Sequence, residues 1–150
     1  MIRYSFIVMT FLGLILSVVA APAQEACKLT VRNKSGSSIG RIDGDGTFRS
    51  RNGATIGRFR SGIVRNKSGT TIGRVDANGA VRDRSGATIG RVDDNGTLRN
   101  ASGTQVGRID PNGVVRNSSG ASRGRFDSYV PACRRVCAAF LFFFEPLHQS

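Results

Sequence analysis

The chain has 150 residues, with 22 lysines and arginines against 10 aspartates and glutamates, so its formal net charge is +12 at pH 7. This length predicts one small domain, and the charge predicts an anionic partner. The chain has one histidine, His148, no Gly-x-Ser-x-Gly motif and no nucleophile paired with a base, so the sequence argues against an enzyme. No cofactor and no small-molecule substrate are inferred.

The amino-terminal segment is typical of a secretory signal peptide. Arg3 precedes an apolar run over residues 6–20, and the small residues Ala21, Pro22 and Ala23 follow it. The run is shorter than the roughly 20 residues that cross a bilayer as a helix. We therefore predict a signal peptide over residues 1–23, cleavage near Ala23, and export to the periplasm or the extracellular space.

Five full copies and a sixth, partial copy of a unit of 17 or 16 residues occupy residues 31–127. One glycine marks each copy, and successive glycines are 17, 16, 17, 17 and 17 residues apart. These glycines are Gly40, Gly57, Gly73, Gly90, Gly107 and Gly124. The single spacing of 16 marks a deletion at residues 59–62, where the usual Asp-x-Asn-Gly turn has lost one residue and its Asp.

Each unit carries two β-turn motifs, Asp-x-Asn-Gly and Asn-x-Ser-Gly, as at residues 76–79 and 66–69. Asp or Asn opens a type I turn with its side chain, and Gly takes the left-handed position that follows. Segments rich in β-branched residues, such as residues 87–92 and 97–99, separate the turns. The pattern predicts an all-β meander of tandem hairpins with about twelve short strands.

The repeat also predicts how the hairpins pack. Ile89 and Val92 would face opposite sides of a regular strand, and a bulge at Gly90 would turn both inward. A single hairpin is marginally stable, so neighbouring units must supply the core, by linear stacking or by radial closure. We favour closure, because the terminal strands at residues 29–32 and 121–126 together complete a sixth hairpin of a radial, flower-like array.

The three cysteines, Cys27, Cys133 and Cys137, flank the repeats. Disulfides persist in exported proteins, and a bridge between the two ends would stabilise the fold by roughly 3 to 5 kcal/mol. We take Cys27 and Cys133 as the candidate pair, which leaves one thiol either free or intermolecular. The alternative is that all three are small buried residues. The cysteine and histidine spacing predicts no metal site.

The repeated pattern Ile-Gly-x-Ile/Val-Asp-x-Asn-Gly-x-Val-Arg-x-x-Ser-Gly resembles that of the beta-flower proteins, which are small bacterial proteins, often exported. The resemblance covers about residues 29–127, and such chains often end in a segment rich in Ala and Phe, as residues 138–144 do. It implies four-fold or five-fold arrays of hairpins around a central axis, and it brings no established activity. This chain differs in its six-unit spacing, its arginine bias and its three cysteines, so the number of blades, five or six, stays open.

We divide the mature chain into a repeat domain over residues 24–127 and a tail over residues 128–150. The tail concentrates apolar residues at positions 133–144. One interpretation is a short helix or strand that plugs one mouth of the array; the other is a segment that docks a partner, another copy or a membrane. The candidate docking residues are Phe140, Phe142, Phe143 and Phe144.

Two arginine series run in register with the repeat. The first follows the strand glycine and comprises Arg41, Arg58, Arg74, Arg91, Arg108 and Arg125. The second ends the short strand and comprises Arg32, Arg49, Arg65, Arg82, Arg99 and Arg116. In a closed array each series would form a ring that binds carboxylates or phosphates. Alternatively, the arginines cover apolar surface and pair with the turn aspartates, which are too few to neutralise both rings.

The main functional hypothesis is an exported, non-enzymatic binding or structural module whose first arginine series contacts an anionic envelope polymer or a membrane surface. Nucleic acid has little support, since the repeats offer only Phe48, Phe59 and Phe126 for base stacking. The alternative is an assembly or protein-interaction module that binds a protein partner through the Phe-rich tail.

Overall fold

A computed structural model describes residues 26–149, and the predicted signal peptide lies outside this range. Twelve antiparallel strands follow one another around a closed barrel, in which the first strand pairs with the last. They are β1 (Leu29–Asn33), β2 (Ser38–Ile42), β3 (Thr47–Ser50), β4 (Thr55–Arg60), β5 (Ile63–Asn66), β6 (Thr71–Val75), β7 (Ala80–Asp83), β8 (Thr88–Val92), β9 (Thr97–Asn100), β10 (Gln105–Ile109), β11 (Val114–Asn117) and β12 (Ser122–Asp127).

The predicted meander and its radial closure are confirmed. Val31 of β1 pairs with Phe126 of β12, so the two chain ends of the repeat domain complete the last hairpin. The odd-numbered strands have four or five residues and the even-numbered ones five or six, and we call them the short and the long strands. The barrel therefore closes with six short–long pairs.

The turns explain why the strands end where they do. At Asn66 the side-chain oxygen accepts hydrogen bonds from the backbone N–H groups of Ser68 and Thr70, both at 3.0 Å. Gly69 then adopts φ +82°, a left-handed conformation that glycine reaches at little energetic cost. Turns from a short to a long strand lie at one end of the barrel, and turns from a long to a short strand lie at the other.

The shortened unit makes a different turn. Ser61 and Gly62 link β4 to β5 directly, with φ values of 52° and 80°. Two successive residues with positive φ are characteristic of the type I′ turn of two-residue hairpins. Arg60 stands immediately before this turn, at the place in the unit where the other long strands are followed by an aspartate.

A bulge recurs in every hairpin that runs from a short to a long strand. Val81 pairs with Gly90 and Arg82 with Thr88, so Ile89 is the extra residue on the long strand. The bulge thus falls one residue before the glycine at which we placed it. Ile89 is half-buried against the core and Val92 is buried, so both side chains contact the core as predicted.

The chain continues after β12 into the barrel. A 3₁₀ helix (Pro131–Cys133), the α-helix α1 (Arg134–Phe143) and a second 3₁₀ helix (Leu147–Gln149) form the tail. Residues 136–141 of α1 are buried and join the inward side chains of the strands in one core. No helix within residues 26–149 is long and apolar enough to span a membrane.

Candidate functional site

The arginines of the two series lie opposite each other in pairs on the outer face of the barrel. Arg41 on β2 is the cross-strand partner of Arg49 on β3, and the same pairing recurs in every unit. The pairs are Arg41–Arg49, Arg58–Arg65, Arg74–Arg82, Arg91–Arg99, Arg108–Arg116 and Arg125–Arg32. Because like charges directly opposite each other destabilise a sheet, a counter-charge between the two arginines stabilises such a pair.

In five of the six pairs one aspartate carboxylate binds both arginines. The Nε atom of the long-strand arginine lies 2.8–3.1 Å from one carboxylate oxygen, and that of the short-strand arginine lies 2.5–2.8 Å from the other. The bridging residues are Asp43, Asp76, Asp93, Asp110 and Asp127. The two series therefore form bridged pairs and do not divide into one structural ring and one free ring.

The arginines favour the ionised form of three bridging carboxylates, those of Asp43, Asp76 and Asp127, because they lower their pKa values. A hydrogen bond from Arg49 is the largest contribution that lowers the pKa of Asp43, and Arg41 adds a weaker one. Arg82 acts in the same way on the pKa of Asp76. These three aspartates carry their negative charge at neutral pH, so each of their pairs keeps the net charge of one arginine.

The two arginines of a pair differ in what they offer to solvent. Short-strand arginines donate a second hydrogen bond from Nη1 to a turn carbonyl, as Arg82 does to Gly86 at 3.1 Å. Long-strand arginines such as Arg74 have side chains 48–58% exposed, and within residues 26–149 their Nη atoms make no hydrogen bond. The first arginine series is therefore the accessible one.

The pair Arg58–Arg65 has no aspartate. Arg60 occupies the place of the bridging acid, and within residues 26–149 none of these three arginines forms an ion pair. Comparing the repeat units with one another detected the missing Asp at residues 59–62. Only the strand register reveals that its loss leaves two arginines facing each other without a carboxylate.

The tail fills the barrel axis, with one tail side chain against each strand glycine. A Cβ atom added at Gly40 would lie 3.6 Å from Cζ of Phe140, and one added at Gly124 would lie 3.1 Å from Cδ1 of Leu147. The six contacts are Gly40–Phe140, Gly57–Phe144, Gly73–Phe143, Gly90–Phe142, Gly107–His148 and Gly124–Leu147. The strand glycines thus leave room for the plug.

The four candidate docking phenylalanines are the side chains that make this plug. Phe140 is buried, whereas Phe142, Phe143 and Phe144 are half-buried. Phe48 packs edge-on against Phe140 and Phe144, with ring centroids 5.4 and 5.1 Å apart. Their packing against the barrel matches the first interpretation of the tail, and docking through them stays a prediction.

Cys27 and Cys133 form a disulfide with Cα atoms 5.7 Å apart and a sequence separation of 106. This bond fixes the start of the tail to the start of β1. Cys137 is a free thiol that is fully buried, and burial raises its pKa well above the usual value. Residues 26–149 contain no group of three or more His, Cys, Asp or Glu side chains that would hold a metal ion.

Two further polar groups break the symmetry of the interior. His148 is buried, and desolvation lowers its pKa to about 4. Arg123 stands at the bulge position that is apolar in the other five units, and its buried Nε has no hydrogen-bond partner within residues 26–149. The sequence carries the signal for Arg123 as a departure from the repeat, but not its burial.

The family model described as "5-fold beta-flower protein" matches residues 28–144. No curated protein and no solved structure matches the chain. The matched range includes all twelve strands and α1, so it covers the barrel and the part of the plug that α1 forms. This barrel contains six short–long strand pairs, where the family description names five. From the extent of the match and the architecture, the chain belongs to the 5-fold beta-flower family.

Proposed function

We propose that the protein is an exported, non-enzymatic binding module that holds an anionic envelope polymer or membrane surface against its long-strand arginines. The observation that carries this proposal is the row of half-exposed arginines whose Nε atoms are already bound to aspartates while their Nη atoms are free for a ligand. That the protein is exported is inferred from the signal peptide predicted over residues 1–23.

The pairing with aspartate favours binding because it orients the arginines in advance. A free arginine side chain loses rotamer freedom when it binds a phosphate or carboxylate, and that loss opposes association. Arg91, held 3.1 Å from Asp93, has already lost part of this freedom. Its two Nη atoms can then donate to an oxyanion with little further ordering.

The repeat also suits a repeating ligand. Arginines of equivalent environment recur on five of the six long strands of the closed barrel, so an extended chain of anionic groups meets several of them at once. In the cleft beside the β1–β12 seam, the cations Arg32 and Lys34 lie next to Arg125 of this band. Equivalent copies of one shallow cationic site fit a binding surface better than a catalytic pocket.

Salt-gradient elution of the mature chain, from residue 24, on sulfated and carboxylated polymer columns tests the proposal. The first variant replaces five long-strand arginines by glutamine, namely Arg41, Arg74, Arg91, Arg108 and Arg125. The matched control replaces their five short-strand partners and has the same net charge; it comprises Arg49, Arg82, Arg99, Arg116 and Arg32. Circular dichroism verifies that both variants fold.

We expect the long-strand variant to elute at clearly lower salt than the control, because it lacks the exposed arginines that displace counter-ions from the polymer. Equal elution of the two folded variants would mean that retention follows net charge alone, and the proposal would then be wrong. Retention of wild type that does not depend on salt would contradict it as well.

A further inference from the structure

One hairpin of the barrel presents two arginines without the carboxylate that bridges them elsewhere. Arg58 on β4 and Arg65 on β5 are cross-strand partners, as are the arginines of the other five pairs. In those pairs the aspartate offsets the repulsion between facing cations. Here no side chain within residues 26–149 does so, since neither arginine lies within ion-pair distance of an acid.

The frame that holds the bridged pairs is nevertheless present. Arg65 donates from Nη1 to the carbonyl of Gly69 at 3.1 Å and to Oγ1 of Thr71 at 2.9 Å. Arg49 makes the same two bonds, to Gly53 at 3.1 Å and to Thr55 at 3.3 Å, while its Nε binds Asp43. Arg65 is therefore held in the bridged conformation, with its Nε unoccupied.

The charge at this hairpin also differs from that of the other five. Each bridged hairpin combines two arginines with one aspartate, whereas this one combines Arg58, Arg65 and Arg60. Arg58 and Arg60 act electrostatically on Asp45, whose Oδ1 accepts a hydrogen bond from the backbone N–H of Thr47 at 3.0 Å. That bond is the main cause of its lowered pKa, and Arg58 and Arg60 contribute least, so Asp45 does not fill the gap.

We propose that Arg58, Arg65 and Arg60 form a binding site for one oxyanion group, a carboxylate or a phosphate, which takes the place of the missing aspartate. The five bridged pairs supply the geometry: one oxygen meets the Nε of the long-strand arginine and a second oxygen meets that of the short-strand arginine. Both classes of group offer two such oxygens. The site goes beyond the proposed function, since it holds one defined anion per chain and needs no polymer.

Arginine Nε–Hε resonances in ¹⁵N-labelled mature protein report directly on the site. Wild type is titrated with acetate and, separately, with inorganic phosphate, at constant ionic strength kept with chloride. We expect saturable shifts for Arg58 and Arg65 at one anion per chain, and no comparable shift for bridged arginines such as Arg74. The anion with the lower dissociation constant identifies the class of group, carboxylate or phosphate, that the site prefers.

Two charge-matched variants separate a site from a general ion atmosphere. Arg60→Asp restores an internal carboxylate and should weaken anion binding about tenfold or more, since charge-assisted hydrogen bonds contribute about 1.5–3 kcal/mol. Arg84→Asp changes the net charge equally in an exposed turn at the other end of the barrel and should leave binding within about twofold. Arg58→Gln provides a second loss-of-binding variant if Arg60→Asp does not fold.

Shifts that fail to saturate, or that spread equally over all long-strand arginines, would overturn the site. The same conclusion follows if Arg60→Asp and Arg84→Asp bind equally, or if Arg58→Gln binds as wild type does. Polymer retention is a separate readout: it can fail while the small-anion site holds, and the reverse outcome is equally distinguishable.

Discussion

The contact between strand glycines and tail side chains predicts a specific cost for adding one methyl group. A Cβ at Gly40 or at Gly90 would lie 2.7 Å from a carbonyl oxygen of the neighbouring short strand, so the backbone clash is equal. Only at Gly90 would the Cβ also collide with a ring, that of Phe142, whereas at Gly40 the ring of Phe140 lies 3.6 Å away.

This difference isolates the plug contact. Inserting a methyl group into a packed core destabilises by about 1–3 kcal/mol, and we expect that cost for Gly40→Ala. Gly90→Ala should lose about 1–3 kcal/mol more, because the Phe142 ring must move in addition. Phe142→Ala removes the ring, so the double variant Gly90→Ala/Phe142→Ala should be less destabilised than the sum of the single variants by about 0.5–3 kcal/mol.

Urea unfolding followed by circular dichroism, with the disulfide intact, measures these free energies. The same cycle with Gly40→Ala and Phe142→Ala is the control and should be additive, because Gly40 lies against Phe140 and not against Phe142. Equal costs for Gly40→Ala and Gly90→Ala, together with additivity in the Gly90–Phe142 cycle, would refute the contact between the tail and the strand.

Three further predictions concern the tail, the disulfide and the short turn. Burial lowers the pKa of His148 from 6.5 to about 4, so as the pH falls His148 is protonated in the unfolded chain before it is protonated in the folded one. The free energy of unfolding should therefore fall by up to about 3 kcal/mol between pH 6.5 and pH 4. Urea titrations of His148→Leu should lack this pH dependence. Cys27→Ser/Cys133→Ser opens a loop with a sequence separation of 106 and should lower the free energy of unfolding by about 4–5 kcal/mol. Ser61 has φ 52°, and asparagine suits a type I′ turn better than serine does. Ser61→Asn should therefore raise the free energy of unfolding by about 0.5–1 kcal/mol, which a higher melting temperature would show.

The strands, the turns and the closure could be predicted from the sequence because local chemistry determines them. Asn66 and Gly69 fix a turn through their own side-chain and backbone preferences, and the repetition of such turns limits the strands between them. The bulge lies at Ile89, one residue before the predicted Gly90. Two inward-facing residues three positions apart indicate that a strand contains a bulge, but they do not identify the residue that is left unpaired.

The sites that depend on register could not be predicted in this way. The sequence presents the strand glycines and the tail phenylalanines as separate patterns, and only the position of α1 brings Gly73 against Phe143. Likewise, Asp76 lies two residues after Arg74 and six before Arg82, and the cross-strand pairing of those arginines is what places one carboxylate between them.

The same cross-strand register places Arg58 opposite Arg65 in the shortened hairpin. If the outer face served stability alone, an acid at position 60 would be favourable, since it would bridge Arg58 and Arg65 as Asp43 bridges its own pair. The unfilled pair leaves the hairpin less stable than its neighbours until an anion arrives, and a ligand that binds only the folded chain then stabilises it by mass action. In a barrel whose other outer pairs carry a built-in carboxylate, the unit that lacks one is where an external carboxylate or phosphate meets the least competition.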